Sequence, residues 1–259
     1  MAAQIGRSLP DAGLLICFSG AGIDVAKDRL KHKELFESFE VASLAHKTLG
    51  AREGCEKWRP RMWQQRQLDM DIVDLCTGCG LVGLFLALLT GRKVVCMDRK
   101  RSRLATEVHH KVAGHFPGLR EQIEWRLQDL RPTGGKGLHL PNSLLVACHA
   151  CGLLSDEVIA LASFKVLRPL ILLPCCYPLK PKVNVRHDVP SFSWLRFPWL
   201  RRGAVNLQGP DAVDAARIRH LEGLGYEVQV DFIDKSITPH SKAIVAVPRA
   251  LKRPYEMEA

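Results

Sequence analysis

From residue 70 onward the chain alternates short apolar runs with longer stretches of helical spacing. Residues 72–75, 93–97, 123–127, 143–148 and 168–173 are the runs, and they read as strands. Residues 81–90, 101–113 and 156–164 read as helices, the second with Leu104, Val108 and Val112 on one face. Gly91 suits the position just past the first helix, and Asp156 and Glu157 suit the N-terminal dipole of the third. This alternation restricts the chain to an α/β fold with a mainly parallel sheet covered on both faces. A further helix over 211–224 leads into strands at 226–233 and 242–247, whose short connection implies an antiparallel hairpin.

Such sheets bind ligands beyond the carboxyl ends of their strands. The unusual residue groups fall at those ends: "CTGCG" from Cys76, Asp98, Asp129, "CHACG" from Cys148 and "PCCYP" from Pro174. The first lies within "DIVDLCTGCGLVG", which permits two readings. Cys76 and Cys79 have the spacing of a metal knuckle or redox pair. Gly78 and Gly80, between an apolar strand and an apolar helix, have the spacing of a cofactor turn. Glycine there lets backbone approach a ligand closely, with a helix N-terminus aimed at it. Asp98 follows Gly80 by eighteen residues, at a strand tip where a carboxylate can accept ribose hydroxyls. Asp129, at the next tip, can reach an adenine amino group. The combination favours the cofactor turn.

The motif "VDLCTGCGLVG" resembles the first motif of class I methyltransferases, commonly D-L-G-C-G-T-G. Asp74 matches the acid, Gly78 and Gly80 match two glycines, and Cys76 stands in place of the first glycine. The closing hairpin agrees with that superfamily and disfavours a dinucleotide dehydrogenase. "HACGLLSD" (149–156) and "PCCY" (174–177) resemble the branch containing acceptor-stem tRNA ribose methyltransferases and several methyltransferase-like proteins. It also holds the methyltransferase domain of the glutathione S-transferase C-terminal-domain-containing protein. "ITPHSKAIVAV" resembles that branch too, with Ser241 where Asn is common.

The resemblance implies a Rossmann-like, seven-stranded sheet of order 3-2-1-4-5-7-6 over residues 70–259, with S-adenosylmethionine as cofactor. Residues 1–69 form an N-terminal extension, expected to be helical because Val41, Leu44, Ala45 and Leu49 share a helical face. Asp74, Cys76, Gly78, Gly80, Asp98, Arg99, Asp129 and Cys148 are the expected cofactor-binding residues. His149 is the candidate for chemistry: it follows strand four, and an imidazole titrating near neutrality can remove a hydroxyl proton. A structural histidine bonded to a neighbouring loop is the competing account. Tyr177 could close over the methyl group or stack on a base, or simply pack. Cys175, near where RNA cytosine-C5 methyltransferases keep their nucleophile, is the minor catalytic candidate; nothing in the sequence indicates a depressed thiol pKa.

In the expected strand order, Cys76/Cys79, Cys148/Cys151 and Cys175/Cys176 lie at neighbouring tips. A metal site is disfavoured nonetheless. The glycines between Cys76 and Leu81 already have a role, and strand tips about 5 Å apart leave no separate knuckle. Small, weakly polar cysteines packing beside the cofactor suffice.

Nine cysteines without a regular disulfide framework indicate a reducing compartment, with the cytoplasm expected. The apolar stretch 12–23 is a poor export signal because Asp11, Gly and Ser interrupt it, and an organellar transit segment stays open. No apolar run reaches the roughly 18–20 residues of a membrane span.

A formal charge of +10 favours a polyanionic partner. Residues 178–210 are long for a connection. Within them, residues 180–202 carry six Lys or Arg against Asp188, interleaved with Phe192, Trp194, Phe197 and Trp199. Segment 52–66 repeats this more weakly, with Trp58 and Trp63. Cations that track phosphates and rings that stack on bases suit single-stranded RNA; a solvated basic surface with inward-packed rings is the bland alternative. Arg99, Lys100, Arg101 and Arg103 are expected to open a helix, where a bound anion would offset their clash with the dipole. The expected function is methyl transfer from S-adenosylmethionine to RNA, tRNA above all. The alternatives are protein or small-molecule methylation, or a non-catalytic binding module on the same fold.

Overall fold

The computed structural model describes residues 31–49, 70–130, 140, 142–175, 197–200, 210–238 and 241–249. Helix α1 (His32–Thr48) comes first. It is followed by β1 (Asp71–Leu75), α2 (Leu81–Thr90), β2 (Val94–Asp98), α3 (Arg103–His115), α4 (Leu119–Gln122) and β3 (Ile123–Leu127). Then come β4 (Ser143–Cys151), α5 (Leu154–Ser163), β5 (Leu170–Cys175), α6 (Pro210–Gly223), β6 (Tyr226–Phe232) and β7 (Lys242–Pro248). The sheet has seven strands in the order β3-β2-β1-β4-β5-β7-β6. Its first five strands are parallel, and β7 runs antiparallel to both β5 and β6. This is the expected Rossmann-like architecture, with the helical N-terminal part present.

The near-continuous apolar strands follow from burial on both faces. Ile72, Val94, Val146 and Ile171 point to one face, packing with α1, α2 and α3. Val73, Val95, Leu145 and Leu172 point to the other, with Val158 and Leu161 of α5 and Leu221 of α6. In α1, Val41 and Ala45 are fully buried on the first face, and Phe39 meets Phe85 edge to face at 5.5 Å. The N-terminal helix is therefore an integral layer of the core. Among the described residues no helix is long and apolar enough to cross a membrane.

Most boundaries fall within one or two residues of expectation, and three differences bear on the site. Helix α3 starts at Arg103, not 101, because Ser102 caps it by accepting from the Ala105 amide at 3.0 Å. Arg99, Lys100 and Arg101 thus precede the helix, and only Arg103 lies in its first turn, paired with Glu107 at 2.6 Å. The expected dipole clash of four cations does not arise. Strand β4 runs three residues beyond 148 because β5 extends alongside it, with Ala150 opposite Pro174 and Cys151 opposite Cys175. Helix α5 starts at Leu154, so Asp156 and Glu157 lie in its first turn as expected, with Asp156 fully buried.

Candidate active site at the strand tips

Strand β1 delivers Asp74 to the floor of the site. Its carboxylate accepts from the Thr77 hydroxyl and from the Gly83 amide, the latter at 2.9 Å. Burial pushes its pKa up to about 7, the Asp98 charge adds to that, and the Thr77 and Gly83 hydrogen bonds pull it back. The other carboxylate oxygen, Oδ1, is buried with no hydrogen-bond partner. The turn above passes through three left-handed residues: Cys76 (φ 57°), Gly78 (φ 58°) and Gly80 (φ 78°). Cys76 thus adopts, with a side chain, a backbone conformation that glycine takes most readily.

The two glycines differ in purpose. A Cβ on Gly78 would meet nothing nearer than 4.0 Å, so this residue presents open backbone to the site. A Cβ on Gly80 would lie 2.5 Å from His109 Nε2 and 2.7 Å from Trp125 Cζ2. Gly80 is therefore required by what lies beneath the turn. His109 Nε2 is 3.0 Å from the Gly80 carbonyl, and its ring meets Trp125 edge-on at 5.3 Å. Burial depresses the His109 pKa to about 4, so near neutrality the ring is uncharged and donates Nε2–H to that carbonyl. Arg101 lies 4.7 Å above the Trp125 ring. Sequence reasoning missed this support, although His109 shares the buried face of α3 with Ala105, Val108 and Val112.

At the tip of β2, Asp98 Oδ2 accepts the Gly78 amide at 3.0 Å, tying two strand tips together. Asp129 follows β3, and the backbone bond from Gln128 to the Asp98 carbonyl at 2.8 Å keeps the third tip beside the second. Cys76 sits among these groups. Burial, then the charges of Asp98, Asp74, Cys151 and Asp129, push its thiol up to about 12. Near neutrality this keeps the thiol protonated. Cys148 is buried, and burial first of all raises its thiol well above the ordinary range. Arg99 is exposed beside Asp98.

The described strand-tip thiols do not gather in one place. Cys79 and Cys148 belong to the face covered by α1, and Cys76 packs on the opposite face. Cys151 and Cys175 lie side by side with their sulfurs 3.0 Å apart. Among the described residues no group of three or more His, Cys, Asp or Glu is arranged to hold a metal ion. Cys175 is nearly buried at the end of β5, while Cys176 and Tyr177 fall outside the described residues, as does segment 52–66.

His149 occupies a register shift of β4 between Cys148 and Ala150, and its backbone is left-handed (φ 62°). This bulge re-aims the side chain, as bulges beside active sites do. The ring Nε2 lies 2.8 Å from Glu37 Oε2 of α1. The partner is thus a helix of the N-terminal layer, not a loop. Glu37 was not anticipated, yet it continues the apolar stripe of Val41 and Ala45 one turn back, and an acid in such a stripe is the available signal. Burial opposes its ionisation, but hydrogen bonds from His149 and Thr238 and the Lys33 charge outweigh it and hold the carboxyl below its usual range. Lys33 Nζ lies 3.3 Å from Glu37 Oε1.

The "HACGLLSD" segment also has a structural role. Arg217 of α6 grips Asp156 through two bonds, Nε–Oδ1 at 3.1 Å and Nη2–Oδ2 at 2.6 Å, and donates to the Gly152 carbonyl at 3.1 Å. Trp199 donates to Asp156 at 3.0 Å and stacks on His220 at 3.8 Å. Phe197 and Leu200 are buried against α6. The end of the basic, aromatic segment thus points its described rings inward; residues 178–196 and 201–209 lie outside the described residues.

A sheet of this order, with a glycine turn between β1 and α2 and acids at adjacent tips, defines the class I methyltransferase scaffold, whose cofactor is S-adenosylmethionine. The residues present fit that cofactor: Gly78 offers open backbone, and Asp74 holds an unpartnered oxygen beneath the turn. The chain belongs to the methyltransferase domain family, whose model matches residues 42–180. No curated protein matches the sequence.

Solved structures similar to this chain include DesVI of Streptomyces venezuelae, 12% identical with a TM-score of 0.45, covering 87% of this chain and 99% of that one. An S-adenosylmethionine-dependent methyltransferase from Aquifex aeolicus is 14% identical with a TM-score of 0.43, covering 86% of this chain and 97% of the other. An O-methyltransferase family protein from Burkholderia thailandensis is 12% identical with a TM-score of 0.42, covering 84% of this chain. The present chain spans 59% of that protein's length.

Proposed function

We propose that this protein methylates RNA, with tRNA ribose the first candidate acceptor, and that residues 70–259 carry the methyltransferase domain, onto which the helix of the N-terminal extension packs. The observation that carries the reading is His149: a partly exposed imidazole on a β4 bulge, one strand away from the cofactor turn. S-adenosylmethionine, when bound, supplies an electrophilic methyl group. Gly78, Gly80, Asp74, Asp98 and Asp129 hold it, with Cys76, Cys148 and Arg99 around them. With Nε2–H held by Glu37, His149 takes the acceptor hydroxyl proton on Nδ1 as the oxygen gains the methyl group.

The formal charge of +10 and the basic segments 52–66 and 180–202 support an RNA acceptor. So does the resemblance of "HACGLLSD" and "PCCY" to the tRNA ribose branch. Tyr177 is assigned to the acceptor side, to close over the methyl group or stack on a base, and Cys175 is the less favoured catalytic group.

Labelled methyl transfer from S-adenosylmethionine into fractionated RNA and protein tests the proposal. Wild type is expected to label RNA, His149→Ala to lose about 100-fold or more of that rate, and Asp98→Ala to lose cofactor binding by calorimetry. Label confined to protein or to small molecules would overturn the RNA acceptor. Wild-type affinity in Asp98→Ala would overturn the cofactor assignment.

A further inference from the structure

We infer that Glu37, on the N-terminal helix, is a positioning residue for His149 and so a working part of the methyl-transfer site. The inference rests on the proposed role of His149. Four observations carry it. The Glu37 side chain is 1% exposed, and that of His149 is 30% exposed, so one member of the pair is locked and the other reachable. The two are joined at 2.8 Å across a separation of 112 residues. His149 is turned toward α1 by a bulge and a left-handed backbone that a β-strand does not otherwise adopt. Glu37 is also a buried carboxylate on the stripe that Val41 and Ala45 continue.

Glu37 is kept charged by His149, Thr238 and Lys33 against the effect of burial. An ionised Oε2 only accepts, so the ring must carry its proton on Nε2. That fixes the neutral tautomer with Nδ1 free to take a proton, and it stabilises the imidazolium formed when one is taken. Such a carboxylate–imidazole pair is the general means of orienting a histidine base. Here the carboxylate arrives from outside the alternating βα units, so the N-terminal layer completes the site.

The test compares wild type with Glu37→Leu, Glu37→Gln, His149→Ala and the double variant Glu37→Leu/His149→Ala. Leucine suits the surrounding apolar stripe, so this variant is expected to fold, which thermal melting and calorimetric S-adenosylmethionine binding check. With unmodified total RNA as acceptor, Glu37→Leu is expected to lower kcat about tenfold or more while KM for S-adenosylmethionine stays unchanged. Glu37→Gln, which keeps an acceptor, is expected to recover part of the loss. The double variant is expected to be no slower than His149→Ala alone, because two groups acting as a unit do not add. Wild-type kcat in Glu37→Leu, or losses that multiply in the double variant, overturn the inference.

Ring nitrogen-15 signals supply an arm that needs no acceptor. The His149 signal, identified by its loss in His149→Ala, is expected to show the proton on Nε2 in wild type and a mixture of tautomers in Glu37→Leu. An unchanged tautomer overturns the inference. If wild type labels no RNA, the proposed function fails, and the ring signals still decide the role of Glu37.

Discussion

At Gly83 an added methyl group would collide with Cys96 Sγ and approach Asp74 Oδ2 at 3.2 Å. The helix after the turn lies this close to β2 because one residue has no side chain. Gly83→Ala is expected to destabilise the fold by about 1–3 kcal/mol, as overpacking does. Adding Cys96→Ala should recover part of that in urea denaturation, since it removes the atom in the way. His109 sets a different dependence. Its folded-state pKa of about 4 lies below the ordinary 6.5, so the unfolded chain binds the extra proton first. The stabilisation is therefore present above pH 6.5 and is lost as pH falls through about 4. Relative to His109→Gln, wild type should lose up to about 3 kcal/mol across that window, measured by denaturation of both proteins at a series of pH values. Asp74 works in the opposite sense, because its raised pKa of about 7 favours protonation in the folded state as pH falls. The comparison with His109→Gln cancels that contribution.

Between elements, the buried Arg217–Asp156 pair fastens α6 to α5, with Asp214 3.5 Å from the same guanidinium. Removing one partner leaves the other charged and buried. Arg217→Met should therefore cost about 3–5 kcal/mol, measured by chemical denaturation. Helix periods and strand runs were legible because burial imposes them residue by residue: 81–90 and 123–127 were read to the residue. Asp156 reads as a dipole residue and lies in the first turn of α5, but its sequence neighbours give no sign of its other partner, Arg217, 61 positions away. The same blindness hid Glu37 from His149. Pairing of charges across a fold leaves no local period, and only an acid or base on an otherwise apolar stripe hints at it. The end of β4 was misjudged for a related reason: His149 breaks the alternation by bulging, and the strand resumes beyond it.

Over the whole molecule, the strand order was readable because a hairpin after repeated βα units leaves few places for its two strands. The cofactor turn was legible as well, since glycine and acid spacing is local chemistry. The acceptor side was less so, because it draws on α1 and on segments with no period of their own. One property of the sheet bears on how the protein is made. Strand β7, last in sequence, lies between β5 and β6. During synthesis, β5 and β6 both emerge with a bare edge awaiting the same neighbour, and the sheet closes only after β7 has left the ribosome. For that interval the nascent chain carries two open templates for pairing with other chains. Tyr226 of β6, hydrogen-bonded to the Ala162 carbonyl at 2.8 Å, can dock on α5 before β7 arrives and shorten the exposure of that edge.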